Sequence, residues 1–335
     1  WINGITGGFG IMLAQSFGAG DEKHLRHYTA MSVYLCTAMA VLMAGGLLLA
    51  NGWILKAMNT PDSIFEDTKS YIGIVYAGIP ITIAYNMLAS ISRSMGDSRT
   101  PLIFLVISSV LNIVLDLVFV AVLPLGVEGA AYATVLAQAV SAVACFFYVR
   151  KKYEILHLKK EDMKFSWNSA GRLMMMGLPM GLQFSITAIG TMMVQAAVNL
   201  LGATYIAAYS ACGKITNIVT QLFPSLGITL ANYVGQNMGA GKVDRIRKGV
   251  RQAQIITIAG GVVCGLAMFF WGGAATKFFA DDPTGEIRQI GDVLFHTTAW
   301  CYPFLGSIFI YRNALQGMGD GLVPMLGGVF ELVTR

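Results

Sequence analysis

The sequence predicts an all-α membrane protein made of two pseudo-symmetric six-helix lobes, and three observations predict it. The first is composition. Of 335 residues, 55% are hydrophobic and only 12% are charged, about half the charged share of a soluble domain. The second is internal repetition. Gln15-Ser16-Phe17-Gly18-Ala19-Gly20-Asp21 returns as Gln236-Asn237-Met238-Gly239-Ala240-Gly241-Lys242, offset by 221 residues. Met95-Gly96-Asp97 with Pro101 returns as Met318-Gly319-Asp320 with Pro324, offset by 223, and Pro80 and Pro303 share that offset. Copies at nearly one spacing, set among long apolar runs, mark a duplicated unit, a plan that membrane transporters use. The third is the distribution of basic residues between alternate loops.

The elements follow from the length a bilayer demands, about 20 apolar residues per helix. Ten segments qualify as candidates: 1–17, 28–55, 70–92, 100–123, 129–149, 173–200, 204–236, 252–276, 293–311 and 321–335. The stretch from Leu173 to Gly213 lacks Asp, Glu, Lys and Arg, is too long for one helix, and folds back most simply near Gly202. In the repeat the first segment matches the seventh, the second the eighth, the third the ninth and the fourth the tenth. The fifth and sixth then lack partners, so twelve spans are expected in the intact protein, with the first and last missing here. The chain begins with Trp1 inside an apolar segment, which agrees with that expectation. Matching spans lie six apart, so the halves point the same way, as a parallel repeat about the membrane normal. The lobes are expected at 1–150 and 173–335, with the polar stretch 151–172 as a linker.

Loops 18–27, 93–99, 150–172, 237–251 and 312–320 hold seventeen of the 23 Lys and Arg residues. The opposite loops hold only Lys56, Lys69, Lys277 and Arg288, while Asp and Glu divide evenly. The positive-inside rule therefore predicts that the Gly-Ala-Gly turns and the inter-lobe loop face the cytoplasm. The placement expected is an inner or plasma membrane crossed many times. A net charge of +5 spread over many short loops does not make a nucleic-acid surface. The five cysteines form no C-x-x-C pair and read as small packing residues. Gly241-Lys242 resembles the end of a phosphate-binding loop, but Gln236 stands where glycine is required and Val243 where Ser or Thr is required. The turns read instead as glycine-closed helix ends. No H-e-x-x-H-type zinc motif, no G-x-S-x-G and no His/Cys cluster is present, so no enzyme is expected, and no cofactor.

Charge inside a span is the sharpest chemical signal, because it costs roughly 2.5–3.5 kcal/mol at a helix centre on insertion scales. Asp116 lies in the fourth segment with Asn112 four residues before it on the same helical face, and Thr134 on the next span can approach that face. Carboxylate, amide and hydroxyl oxygens suit a proton or a small hard cation such as Na⁺. The plainer reading is a solvated acid at a helix end, since Pro124 follows. Glu331 and Arg335 can neutralise each other at i, i+4. Lys214, Gln183, Gln195 and His296 are candidate pathway residues; packing, or snorkelling for Lys214, is the alternative for each. Met174, Met175, Met176, Met192 and Met193 read as an adaptable apolar wall or as lipid-facing filler. Pro80, Pro179, Pro224 and Pro303 favour bends, and the matched pair Pro80 and Pro303 suggests a shared bending element.

Together the paired motifs, the two-half layout and Asn112-x-x-x-Asp116 resemble the multidrug and toxic compound extrusion (MATE) family, in the bacterial branch related to DNA-damage-inducible protein F. The telling phrases are Val234 to Lys242 and Gly126-Val127-Glu128-Gly129-Ala130-Ala131-Tyr132-Ala133-Thr134. The resemblance implies two lobes in a V around a central cavity, rocking between inward-open and outward-open states. It implies a secondary antiporter that exports organic cations or amphiphilic drugs in exchange for H⁺ or Na⁺, one chain forming the whole pathway. In relatives with an amino-lobe cation site, Asn, Asp and Thr stand where Asn112, Asp116 and Thr134 stand here. A further Asp on the first span falls upstream of Trp1. Relatives with an acid on the seventh span differ from this chain, whose corresponding segment carries Gln183 and Gln195 but no acid. Two rivals stay open: a flippase for lipid-linked sugars or other amphiphiles of the same superfamily, and a non-transporting membrane scaffold.

Overall fold

A computed structural model describes residues 1–280 and 285–334, and every described element is helical. Contacts divide the chain into two compact units, Ile2–Gly177 and Leu178–Arg335. The first contains α1 (Ile2–Gly18), α2 (Glu22–Ala57), α3 (Asp62–Ala77), α4 (Ile79–Ser94), α5 (Arg99–Asp116) and α6 (Gly126–Lys152). A π-helical stretch, Leu117–Val122, continues α5. The long α7 (Trp167–Asn199) begins in the first unit and runs into the second. There follow α8 (Ala203–Thr220), α9 (Leu222–Gly239), α10 (Val243–Ala275), α11 (Glu286–Thr298), α12 (Tyr302–Gly317) and α13 (Leu322–Thr334).

The repeat is visible bond by bond at the turns. After α1, the Asp21 amide donates to Ser16 O at 3.1 Å; after α9, the Lys242 amide donates to Asn237 O at 2.8 Å. After α4, the Asp97 amide donates to Ser92 O at 2.9 Å; after α12, the Asp320 amide donates to Leu315 O at 3.1 Å. Each is the long-range bond of a Schellman-type ending, which needs one left-handed residue. Gly20, Gly241, Gly96 and Gly319 supply it, with φ of 69°, 67°, 89° and 98°. The next helix is then capped alike in both units. Asp97 Oδ1 accepts the Thr100 amide at 3.1 Å, and Asp320 Oδ1 accepts the Val323 amide at 3.1 Å.

Seven helical stretches among the described residues are long and apolar enough to cross a membrane, and the shorter α13 is apolar as well. Three expected spans prove broken. The segment at 70–92 is α3 and α4, parted at Gly78; that at 293–311 is α11 and α12, joined by a 3-10 turn at Ala299–Cys301; that at 204–236 is α8 and α9, parted at Gln221. Pro80, Pro303 and Pro224 each lie in the first turn after a break, where a missing N–H costs nothing because no intrahelical acceptor is available. Pro179 alone of the four lies inside a helix.

In the first unit Phe9, Leu13, Leu25, Met31, Ile83 and Leu173 form a buried core. The second unit has two clusters, one around Phe223, Phe295 and Tyr302 and one around Leu230, Val234 and Ile310. The outward faces are apolar too. Leu42, Leu49, Trp53 and Phe330 are all exposed, as helices solvated by lipid require.

Candidate functional site

The candidate site stands where α5 passes α6 in the first unit. Asn112 and Asp116, one turn apart on α5, are both partly buried. Asn112 Nδ2 donates to Thr134 Oγ1 at 3.4 Å, and Thr134 Oγ1 donates to the Ala130 carbonyl at 3.0 Å. One Thr134 Oγ1 lone pair and the Asn112 side-chain carbonyl oxygen thus stay available as acceptors. Asp116 Oδ1 is buried without a hydrogen-bond partner among the described residues. A carboxylate oxygen in that condition is costly, and a proton or a small cation relieves it.

The helix does not end at Asp116. It widens into the π stretch Leu117–Val122, closed by the Leu123 amide donating to Val118 O at 2.9 Å. Such widening is rare and recurs at functional sites. No sequence signal announces it, because the choice between i+4 and i+5 bonding rests on packing.

The other candidates fall in the second unit, and no hydrogen bond among the described residues joins any two of them. Gln183 is buried and accepts from Gln316 Nε2 at 3.0 Å. Gln195 donates to Asn199 Oδ1 at 2.9 Å. The Lys214 ammonium lies 5.7 Å from the Phe279 ring centroid. His296 is exposed, with Nε2 2.9 Å from the Phe269 carbonyl and its ring 4.3 Å from the Phe269 ring. Glu331 pairs with Arg312 at 3.5 Å; the expected partner Arg335 lies outside the described residues.

Two polar anchors were not anticipated from sequence. Asp97 receives the Lys152 ammonium at 2.6 Å, the Tyr148 hydroxyl at 3.0 Å and the Thr100 hydroxyl at 2.8 Å. Burial opposes ionisation of Asp97, but these donors and the Thr100 amide outweigh it and hold the carboxyl well below its ordinary range. In the expected linker, Asp162 accepts the Lys159 amide at 3.0 Å and Arg26 Nε at 3.1 Å. The Lys159 amide is the main reason its carboxyl is depressed; burial opposes the shift and the Arg26 charge aids it. His27 adds contacts to the Asp162 carbonyl and to Ser169 Oγ, both at 3.1 Å, so the segment is strapped to α2.

An all-helical chain with many apolar spans, a duplicated plan and an acid set among apolar helices defines a multi-pass membrane protein of the transporter class. The MatE family profile matches residues 2–118 and 179–335, and the chain belongs to that family. It is 27% identical over 319 residues to the probable multidrug resistance protein YpnP of Bacillus subtilis, covering 95% of this chain and 71% of that protein. It is 25% identical over 340 residues to the DNA damage-inducible protein F of Escherichia coli, covering 96% and 72%. The fold matches a crystal structure of MATE in complex with MaL6, with a TM-score of 0.93 at 20% identity over 99% of this chain and 75% of that one. It also matches an outward-facing multidrug resistance MATE family transporter of the MOP superfamily, with a TM-score of 0.92 at 20% identity over 99% and 74%.

Proposed function

We propose that this chain is a secondary efflux antiporter, exporting small organic cations and amphiphilic drugs in exchange for H⁺ or Na⁺ by alternating access. The observation that carries the reading is the buried Oδ1 of Asp116, without a hydrogen-bond partner among the described residues, beside Asn112 and Thr134. The multidrug resistance names of relatives such as YpnP support the cargo class. Asp116 takes up a proton or Na⁺ on one side of the membrane and gives it up on the other. If ion and drug favour opposite conformations, or compete for overlapping groups, each drives release of the other. In this reading Pro80 and Pro303 mark where α4 and α12 bend, and Lys214, Gln183, Gln195 and His296 flank the pathway. The protein works as a single chain in the inner or plasma membrane, with the loop at 150–172 in the cytoplasm.

The test is loss of a fluorescent organic cation from cells stripped of their own efflux pumps, with proton and sodium gradients imposed separately. Wild type is expected to show gradient-driven loss, and Asp116→Asn, at matched membrane abundance, to fall to background. Undiminished export by that variant removes Asp116 from the mechanism. No export under either gradient, with the protein in the membrane, points to a flippase with a different cargo.

A further inference from the structure

The first unit carries a second polar site, on a different face of α6 from Thr134. Glu128, Tyr132 and Val135 share that face at i, i+4 and i+7. With the end of α2 and with α3 they bound a cleft of about 600 Å³ whose wall includes Asn51, Glu66, Lys69, Ala77, Glu128 and Tyr132. Charged groups cluster at the chain ends of these helices, where Glu66 and Lys69 lie in the first half of α3 and Glu128 in the first turn of α6. Ile74 and Ala77 add apolar surface to the wall.

Asn51 points to a ligand. It is 6% exposed, and its Nδ2 is committed to the Lys69 carbonyl at 2.9 Å. Its Oδ1 is buried and has no donor among the described residues, a condition native proteins rarely leave uncompensated. Glu66 and Lys69 approach only to 3.7 Å and are both exposed, so their pairing is weak. Glu128 enters no ion pair among the described residues. The wall thus holds two carboxylates against one ammonium, together with an acceptor that lacks a donor and the half-exposed phenol ring of Tyr132. This set of groups suits a cation that carries N–H donors.

We propose that this cleft binds a primary ammonium group on an apolar chain. Glu128 neutralises the charge, the Tyr132 ring offers a cation–π face, and Asn51 Oδ1 accepts an N–H directly or through one water. The ammonium can belong to a phosphatidylethanolamine headgroup, whose phosphate Lys69 would meet, or to a free alkylammonium. The site is separate from Asp116 and stands whether or not the chain exports drugs.

The test is a native mass spectrometry titration of the purified chain in detergent. The probes are phosphatidylethanolamine, phosphatidylcholine, octylammonium and octyltrimethylammonium. The primary ammonium of at least one pair is expected to bind in preference to its quaternary analogue, which offers no N–H. Glu128→Gln is expected to weaken it about tenfold, the scale of one lost charge-assisted hydrogen bond. Tyr132→Leu is expected to weaken it as well and serves if Glu128→Gln misfolds. Retention of phosphatidylethanolamine that Lys69→Gln also weakens identifies the lipid as the source. Binding of octylammonium alone, insensitive to Lys69→Gln, identifies a free amine. Equal binding of primary and quaternary probes, or primary binding untouched by Glu128→Gln and Tyr132→Leu, overturns the proposal. Because the readout is binding, either result leaves the export reading to its own test.

Discussion

At the scale of single residues, two aspartates show how surroundings decide what a carboxylate does. Asp116 has a buried oxygen with no partner among the described residues, which is a poor way to build stability and a good way to hold an exchangeable ion. Asp97 is saturated with donors and ties the α4–α5 turn to the end of α6. Asp97→Asn is expected to cost about 1–3 kcal/mol, the range for a buried hydrogen-bonded charge that loses its partners, read as a lower unfolding temperature in detergent. The sign with pH follows from the depressed folded-state value of Asp97. Its contribution is full above the unfolded carboxylate range, near 3.9, and fades as pH falls below that toward the folded value. The gap between wild type and Asp97→Asn should therefore be constant near neutrality and narrow only below about pH 4. Asn112 and Asp116 were legible because four-residue spacing is a local property of a helix. Gln183 with Gln316 and Arg312 with Glu331 were not, since each pair joins helices whose contact no local pattern encodes.

At the scale of elements, local chemistry announced the turns and only half announced the breaks. A left-handed glycine leaves a sequence mark, and the Gly-Ala-Gly turns read as helix ends do close at Gly20 and Gly241, whereas the caps at Asp97 and Asp320 emerged only from the structure. A proline inside an apolar run signals a bend, but whether the helix kinks or restarts depends on what packs against it. At Pro303 the answer lies in α10. A Cβ on Gly261 would come within 2.7 Å of the Pro303 Cα, a backbone atom that cannot swing aside. Gly261→Ala is expected to cost about 1–3 kcal/mol by forcing α10 away from α12. Gly45→Ala, where a Cβ meets nothing within 4 Å, should instead stabilise α2 by roughly 0.5–1 kcal/mol through helix propensity. Thermal unfolding of the two variants side by side checks both signs.

At the scale of the whole molecule, composition and repetition carried most of the fold, because a bilayer leaves a helical chain few alternatives. The unit boundary was less legible. The expected linker at 151–172 is polar, yet Asp162 and Ser169 fasten it to α2 and it packs as part of the first unit. Orientation across the membrane is open to direct mapping. In a chain whose five cysteines are replaced by serine, a cysteine at Lys160 should react with an impermeant thiol reagent only from inside the cell. One at Asn59 should react only from outside; the reverse pattern would overturn the orientation read from the basic loops.

The π stretch after Asp116 bears on how this protein tolerates change. Six residues with i+5 bonding hold a surplus that ordinary helix would not need. That surplus works as a seam. A residue gained or lost beyond it can be taken up by local rewinding, so the connection toward α6 is free to vary in length. Asn112 and Asp116 lie on the seam's other side and keep their register. The α5 part of the candidate site is thereby insulated from changes in the length of that connection.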